Sequence, residues 1–427
     1  MNFKELPAVK KQLMKCVRCG KCRSVCPVFE EIKNETVAPR GHVFMVQMLR
    51  DGQVAPSRQV GEHLSNCLLC ETCTVNCPSG IDIHELNAAA RSYVYDKNKN
   101  AAKDLLFDKF WTNPSLIAAG VKCMSFAQKL GLQTLFRNIG LTKLLPGDLS
   151  KAEKILTSAP SRSARSRLAP VNAAKKDKKL RIGYFLGCAT NVLYPDVALA
   201  TVKVLVNNGC EVIIPENLKC YGLPHIANGK IGAARELMIH NIKEFQKYDP
   251  DYIITDCASC SSALESKNLE FLFAGSPYEE SARQLSEKVM DLCVLLIEVL
   301  NIKIPEGSRA SEKEPSPKIT YHDPCHLVNA QGVSKAPREL LQRIPGAEYR
   351  EMDLAQRCCG GSGTFSLTHY DLSMKILDRK MKSAQKTGAD IIATNCPSCI
   401  MQLKHGVRLH NLSAQVKHPV EIISDFY

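Results

Sequence analysis

Five cysteines stand in three short groups near the C-terminus: Cys325 within His-Asp-Pro-Cys-His, the adjacent pair Cys358-Cys359 before two glycines, and Cys396-Pro-Ser-Cys399. Thiolates are soft ligands, and a set this dense selects an iron–sulfur cluster or zinc. A thiol-rich core explains neither the adjacent pair nor the C-x-x-C. The spacers each fit one helix and one strand, and the apolar runs 318–321 and 390–394 lead directly to Cys325 and Cys396. Parallel α/β sheets bind ligands beyond the carboxyl ends of their strands, so three strand ends are expected to bring the five sulfurs together. His322 and His326 flank Cys325 and are expected to hydrogen-bond around the ligands rather than to ligate, with Asp323 capping the next helix.

The same design occurs upstream. Cys188 follows the strand-like run 181–186, Cys220-Tyr221-Gly222 stands in the place of Cys358-Cys359-Gly360, and Cys257-Ala-Ser-Cys260 follows the run 252–256. From 188 to 325, 220 to 358, 257 to 396 and 260 to 399 the offsets are 137, 138, 139 and 139 residues. Offsets so regular mark an internal duplication. The first copy has lost one thiol to Tyr221, and its remaining four suit a [4Fe–4S] cluster or a tetrahedral zinc, with an empty, structural site as the alternative.

Nearer the N-terminus, residues 16–27 read C-V-R-C-G-K-C-R-S-V-C-P and residues 67–78 read C-L-L-C-E-T-C-T-V-N-C-P. Both are C-x2-C-x2-C-x3-C-P, the run of bacterial two-cluster ferredoxins, whose fourth cysteine serves the other cluster. The expected ligand sets are therefore Cys16, Cys19, Cys22 and Cys77 for one [4Fe–4S] cluster, and Cys67, Cys70, Cys73 and Cys26 for the second. Zinc ribbons use paired C-x-x-C motifs instead. Arg18, Lys21 and Arg23 are expected either to offset cluster charge or to form a solvated basic face.

Positioning these residues takes an α+β multidomain chain. A helical two-cluster ferredoxin-like domain (1–100) is expected first, then a helical extension (101–150) and a basic flexible linker (151–180). Two duplicated α/β cysteine-rich domains follow, at 181–305 and 318–427, separated by Pro305–Pro317. Helices are expected at 40–49, 83–98, 197–207, 231–245 and 281–300. The extension is apolar, is interrupted at Pro114 and Gly131, holds the only tryptophan, Trp111, and is expected to pack as core, with a docking surface for another subunit as the alternative. Cys123, Cys210 and Cys293 are expected as small buried hydrophobes.

Composition narrows the class. The charged opening residues contain no apolar signal core, so the twenty cysteines read as metal ligands of a cytoplasmic chain, not as a disulfide framework. No run approaches about eighteen uncharged apolar residues, so no transmembrane helix is expected. Much of the net charge of +13 sits in the linker, which weakens the case for a nucleic-acid face. No G-x-G-x-x-G follows a strand and no G-x4-G-K-[S/T] occurs, so no nucleotide fingerprint is present.

Two ferredoxin motifs followed by two cysteine-rich units resemble the iron–sulfur subunits of glycolate oxidase over nearly the whole chain. The likeness is most specific in Tyr-His-Asp-Pro-Cys-His-Leu (321–327), Ala-Pro-Arg-Glu-Leu-Leu (336–341) and Cys-Cys-Gly-Gly-Ser-Gly-Thr-Phe (358–365). Lactate-utilisation proteins look related, as do the iron–sulfur subunits of anaerobic glycerol-3-phosphate dehydrogenase and of heterodisulfide reductase. The resemblance implies an electron-transfer subunit of an oxidoreductase complex. Its partner would be an FAD-binding subunit that oxidises glycolate or D-lactate, and its acceptor a quinone or another membrane acceptor. The chain would then lie in the cytoplasm or peripherally on the inner face of the membrane. The resemblance also implies a five-cysteine noncubane [4Fe–4S] cluster in the second unit, and Tyr221 puts one in the first unit in doubt. Two rival expectations are a catalytic thiol–disulfide reductase of the heterodisulfide-reductase kind and, more remotely, a zinc protein that holds nucleic acid on its basic linker.

Overall fold

The computed structural model describes residues 7–144, 147–155, 158–306 and 316–427. Most of the separator between Pro305 and Pro317 lies outside the described residues. In the N-terminal domain each four-cysteine run turns through two left-handed residues: Arg18 and Gly20 in the first (φ 55° and 83°), Leu69 and Glu71 in the second (φ 53° and 60°). The non-glycine residues there accept a steric cost so that the chain can wind back on its own sulfurs. Helices Pro39–Arg50 and Ile83–Lys97 pack together and supply the core through Val43, Val46, Leu49, Leu86, Ala90 and Val94.

Strands β1 (Val171–Asn172), β2 (Leu180–Tyr184), β3 (Cys210–Ile213), β4 (Tyr252–Thr255) and β5 (Val289–Asp291) form one sheet in the order β1-β3-β2-β4-β5, parallel except for β1. Strands β6 (Lys318–Tyr321), β7 (Glu348–Tyr349), β8 (Ile391–Ala393) and β9 (Gln415–Lys417) form a second, wholly parallel sheet in the order β7-β6-β8-β9. Without β1 the two orders correspond strand for strand, so the duplication extends to topology. Ile182, Tyr184, Ile254, Ile319, Tyr321 and Ala393 are all at 0% exposure. Burial on both faces is why the central strands read as unbroken apolar runs. The two sheets share one continuous apolar core, closed by helix Pro195–Asn207 against Pro419–Ser424.

Three expectations change. Residues 281–300 are not one helix: Glu279–Lys288 ends, Val289–Asp291 becomes the edge strand β5, and Asp291 caps the next helix by accepting from Cys293 N at 2.8 Å. Pairing with β4 outweighs the helical pattern there. The segment 151–180 is not a free tether. Ala164 is buried, Arg165 donates to the Pro215 carbonyl at 3.0 Å, and Val171–Asn172 adds an antiparallel edge to β3. The extension does not pack as core either: only Phe107 and Ser125 are buried between 101 and 143, and Cys123 is exposed, whereas Cys210 and Cys293 are buried. Among the described residues no helix is long and apolar enough to cross a membrane.

Candidate iron–sulfur sites

In the second cysteine-rich unit two of the three thiol groups sit where a strand end meets a helix start, and the adjacent pair sits in the loop after β7. Cys325 opens helix Cys325–Val328 after β6, and Cys396 is the N-cap of Pro397–Leu409 after β8, which places Cys399 in the first turn. Helix starts favour the thiolate. Cys358 and Cys359 follow β7 and are turned inward at Gly360. Its φ is 83°, and a Cβ there would meet the Ser373 carbonyl oxygen at 2.7 Å, so the position needs glycine.

All five cysteines and His322 line one cavity. Cys359 Sγ lies 3.7 Å from Cys399 Sγ, Cys358 lies against Cys325, and a ring nitrogen of His322 lies within 4.8 Å of the Cys359 and Cys399 sulfurs. His322 is fully buried and, among the described residues, neither of its ring nitrogens has a hydrogen-bond partner. Buried polar atoms are rarely left so, and a thiol cage with an orphaned imidazole fits a bound metal cluster. Lys380, which carried no signal in sequence, is 3% exposed beside this cage and donates to the Leu354 and Ala355 carbonyls at 2.7 and 3.1 Å. Burial pulls its pKa down to about 8, against the pull of Cys359 and Cys358. Asp323 does not cap the helix. Pro324 holds that position, and the Asp323 carboxylate accepts two 2.8 Å bonds from Arg338.

The first unit repeats the arrangement with telling changes. Cys188 opens helix Cys188–Leu193 after β2, Cys257 is the N-cap of Ala258–Leu264 after β4, and Cys220 precedes Gly222 at φ 90°. Cys188 lies against Cys220 and Cys257 against Cys260, with the Tyr221 phenol set among all four. The Trp111 indole lies beside Cys188. By the 137-residue offset the place of His322 is taken by Phe185, so the first unit lacks both the fifth thiol and the imidazole. By the 139-residue offset Asn395 is replaced by Asp256, which accepts from Tyr184 and, at 2.8 Å, from Thr190. Burial raises the Asp256 carboxyl to about 6.

The ferredoxin-like cysteines fall into two groups. Cys22 neighbours Cys16, Cys19 and Cys77, while Cys26, Cys67, Cys70 and Cys73 line a single cavity. Burial pushes the Cys26 thiol up to about 12 and raises Cys70 and Cys73 as well. Thiols held this way release their protons to a metal and not to water. Of the basic residues read from sequence, Arg18 stands over the Phe44 ring at 5.5 Å, and Arg23 stands over Phe29 at 4.6 Å and pairs with Glu35 at 3.0 Å. Lys21 is exposed. Arg40, unread in sequence, is set against Cys22 and Cys19.

The sites adjoin one another. The Leu68, Leu69 and Cys70 carbonyls are met by Ser362 Oγ at 2.6 Å, His326 Nε2 at 3.0 Å and Asn329 Nδ2 at 2.8 Å. Cys26, Cys70, Cys325 and Cys358 share one small apolar cluster. On the far side Cys396 lies against Cys257, and Ser259 Oγ is 3.6 Å from Cys396 Sγ. Lys267 of the first unit reaches Glu71 and Asp82 of the ferredoxin-like domain, each at 2.8 Å.

Residues 12–81 match the 4Fe-4S dicluster domain family, 182–265 and 319–404 the cysteine-rich domain family, and 98–156 the linker region of the glycolate oxidase iron-sulfur subunit. A probable glycolate oxidase iron-sulfur subunit of Bacillus subtilis (strain 168) is 31% identical over 423 residues, which covers 95% of this chain and 91% of the relative. The glycolate oxidase iron-sulfur subunit of Escherichia coli (strain K12) is 26% identical, covering 96% and 93%. Lactate utilization protein A 1 of Bacillus cereus (strain AH820) is 32% identical over 57% of this chain and 99% of its own length. With that breadth of likeness added to two ferredoxin-like thiol sets and a duplicated cysteine-rich fold, the chain belongs to the glycolate oxidase iron–sulfur subunit family.

Proposed function

We propose that this chain is the iron–sulfur electron-transfer subunit of a flavin-dependent dehydrogenase complex for a 2-hydroxy acid, glycolate or D-lactate. The acid is oxidised on a partner FAD-binding flavoprotein, and the acceptor is a quinone or another acceptor. The reading is carried by one observation: the second cysteine-rich unit holds three successive carbonyls of the Leu68–Cys70 loop, which fixes two thiol sites side by side. Iron–sulfur clusters bound at such thiols take up and give up single electrons.

The residues supply the rest. Cys19 is exposed beside Val17, itself 71% exposed, which gives the first thiol set an edge open to a partner. Cys70, Cys358, Cys396 and Cys257 are buried in turn, and their burial keeps water out of the row that leads to the first unit. Eight thiols suit two [4Fe–4S] clusters, and the five of the second unit suit a further iron–sulfur cluster. The first unit, with Tyr221 and Phe185, suits a [4Fe–4S] cluster or zinc, and iron fits its place at the end of the row.

Anaerobic full-length protein should be brown, with about eight irons from the ferredoxin-like domain and more from the second unit. Alone it should not oxidise glycolate or lactate, since it has no flavin or nicotinamide fingerprint. Activity should appear when the flavoprotein is added. Sustained turnover by the isolated chain would overturn the reading. The thiol–disulfide reductase reading draws on the polar lining that Ser259, Thr364 and Ser398 give the second site's cavity. Disulfide reduction by dithionite-reduced protein, without any flavoprotein, would establish it.

A further inference from the structure

The helical extension shows a surface that an electron relay by itself does not need. Among the described residues, eleven of the twenty large apolar side chains left exposed fall between Leu105 and Leu149. In helix Pro114–Lys129 the exposed Leu116, Ala119, Cys123 and Phe126 recur at helical spacing along one stripe that ends at Leu130. Phe126 is 65% and Leu130 58% exposed, and Ile139, just beyond the next helix Leu132–Asn138, is 64% exposed. Apolar exposure on this scale marks an interaction surface.

Charge selects the partner. From Lys109 to Gly147 the chain carries five basic residues and no acidic one. Arg137 pairs with Glu153, while Lys109, Lys122, Lys129 and Lys143 are exposed. Lys122 and Lys129, seven residues apart, lie along one edge of the apolar stripe. Leucine and phenylalanine tips edged by lysines suit a helix lying among anionic headgroups, whereas protein interfaces are depleted in lysine. With no described helix able to cross a bilayer, such a face lies on the membrane and does not span it.

The extension that carries this face also packs beside the first cysteine-rich unit's thiols. Helix Pro114–Lys129 packs on the helix that begins at Cys188, and Trp111, stacked on Phe107 at 5.5 Å, lies beside Cys188. We propose that the extension is an interfacial membrane-binding face that seats the first cysteine-rich unit against a bilayer rich in anionic phospholipid. This rests on the relay reading only for the direction of electron flow, because lipid binding is a property of the face itself.

The test is sedimentation of the anaerobic full-length protein with vesicles of phosphatidylcholine, with and without about 30% phosphatidylglycerol. Binding should require the anionic lipid and weaken severalfold between about 0.1 M and 1 M salt, where screening shortens from about 10 to 3 Å. The Phe126→Asp, Leu130→Asp double variant replaces exposed side chains only and should keep the wild-type melting temperature and visible spectrum. It should bind vesicles at least about tenfold more weakly. Lys122→Glu with Lys129→Glu should abolish the preference for anionic lipid. Wild-type protein that ignores vesicles, or binding unmoved by both variants, overturns the proposal. So does loss of flavoprotein association in the Asp variant with vesicle binding intact, which would make the face a protein interface. Bleaching of the visible absorption by flavoprotein and hydroxy acid, followed without lipid on the same samples, reports on the relay reading separately.

Discussion

His326 Nε2 lies 3.0 Å from the Leu69 carbonyl oxygen, and the other nitrogen of the same ring lies 3.1 Å from Ser259 Oγ. One buried side chain, adjacent in sequence to Cys325, thus touches the ferredoxin-like domain and both cysteine-rich units. The Nε2–H donates to the carbonyl, and Nδ1 meets the serine hydroxyl, accepting from it in the neutral ring and donating to it in the imidazolium, which the nearby Cys325 and Glu71 favour against burial. His326→Ala strands both partners in a dry joint and should cost about 1–3 kcal/mol. The expected result is a lower melting temperature with unchanged iron content in the ferredoxin-like domain. An unchanged melting temperature would show that the joint is held by other contacts.

Lys267 is the ionic counterpart of that joint. It faces Glu71, whose side chain is 1% exposed, and Asp82, at 9%. Burial disfavours both carboxylates, yet His84 and Lys267 hold their pKa values below the ordinary range. Lys267→Met leaves two buried charges without their half-exposed cation and should destabilise by about 1–3 kcal/mol at neutral pH, solvent screening discounting the full cost of a buried pair. The stability these carboxylates contribute is present above their unfolded pKa values near 4 and is lost as pH falls through the folded ones. The deficit of the variant should therefore shrink toward pH 3, which melting curves across pH would reveal. A pH-independent deficit would point to lost packing instead.

Glu265 should behave in the opposite sense. Burial, and then the Glu71 carboxylate, raise its pKa to about 7. A carboxyl with a raised folded pKa binds its proton more tightly in the fold, so its contribution is full below about pH 4.5 and fades as pH rises through 7. Glu265→Gln should stabilise the protein by about 2–3 kcal/mol at pH 8 and by less than about 1 kcal/mol at pH 5. Equal melting temperatures of the two proteins at pH 8 would refute this.

The grouping of the thiols and the parallel strands were legible because both depend on short-range pattern: fixed cysteine spacing, and apolar runs buried on two faces. Edge strands were less legible. Val289–Asp291 reads as helix until its pairing with β4 is known, and Val171–Asn172 is two residues inside a basic, serine-rich stretch. The polar residues around the sites were legible only in part. Lys380 and Arg40 look like ordinary surface charges of amphipathic helices, and only tertiary packing brings them to the thiols. The extension could not be decided from sequence because an apolar stretch is equally consistent with a core and with an exposed docking face.

Gly360→Ala probes the turn that aims the cysteine pair. At φ 83°, with the Ser373 carbonyl 2.7 Å from a new Cβ, alanine is strained and must displace backbone. The cost should be at least about 1–2 kcal/mol, with loss of the second unit's metal while the eight ferredoxin-like irons remain. Full metal retention would mean that the turn tolerates a side chain.

Cys396 occupies the point where the two cysteine-rich units meet, against Cys257. The most direct test of the relay is therefore Cys396→Ser in the reconstituted complex with its flavoprotein, hydroxy acid and a quinone under anaerobic conditions. The ferredoxin-like absorption should still bleach on addition of the acid, while steady-state quinone reduction falls at least about a hundredfold, a barrier increase of about 2.7 kcal/mol. Quinone reduction at the wild-type rate in that variant would contradict the account, because electrons would then leave the chain without using the row of sites that the fold builds.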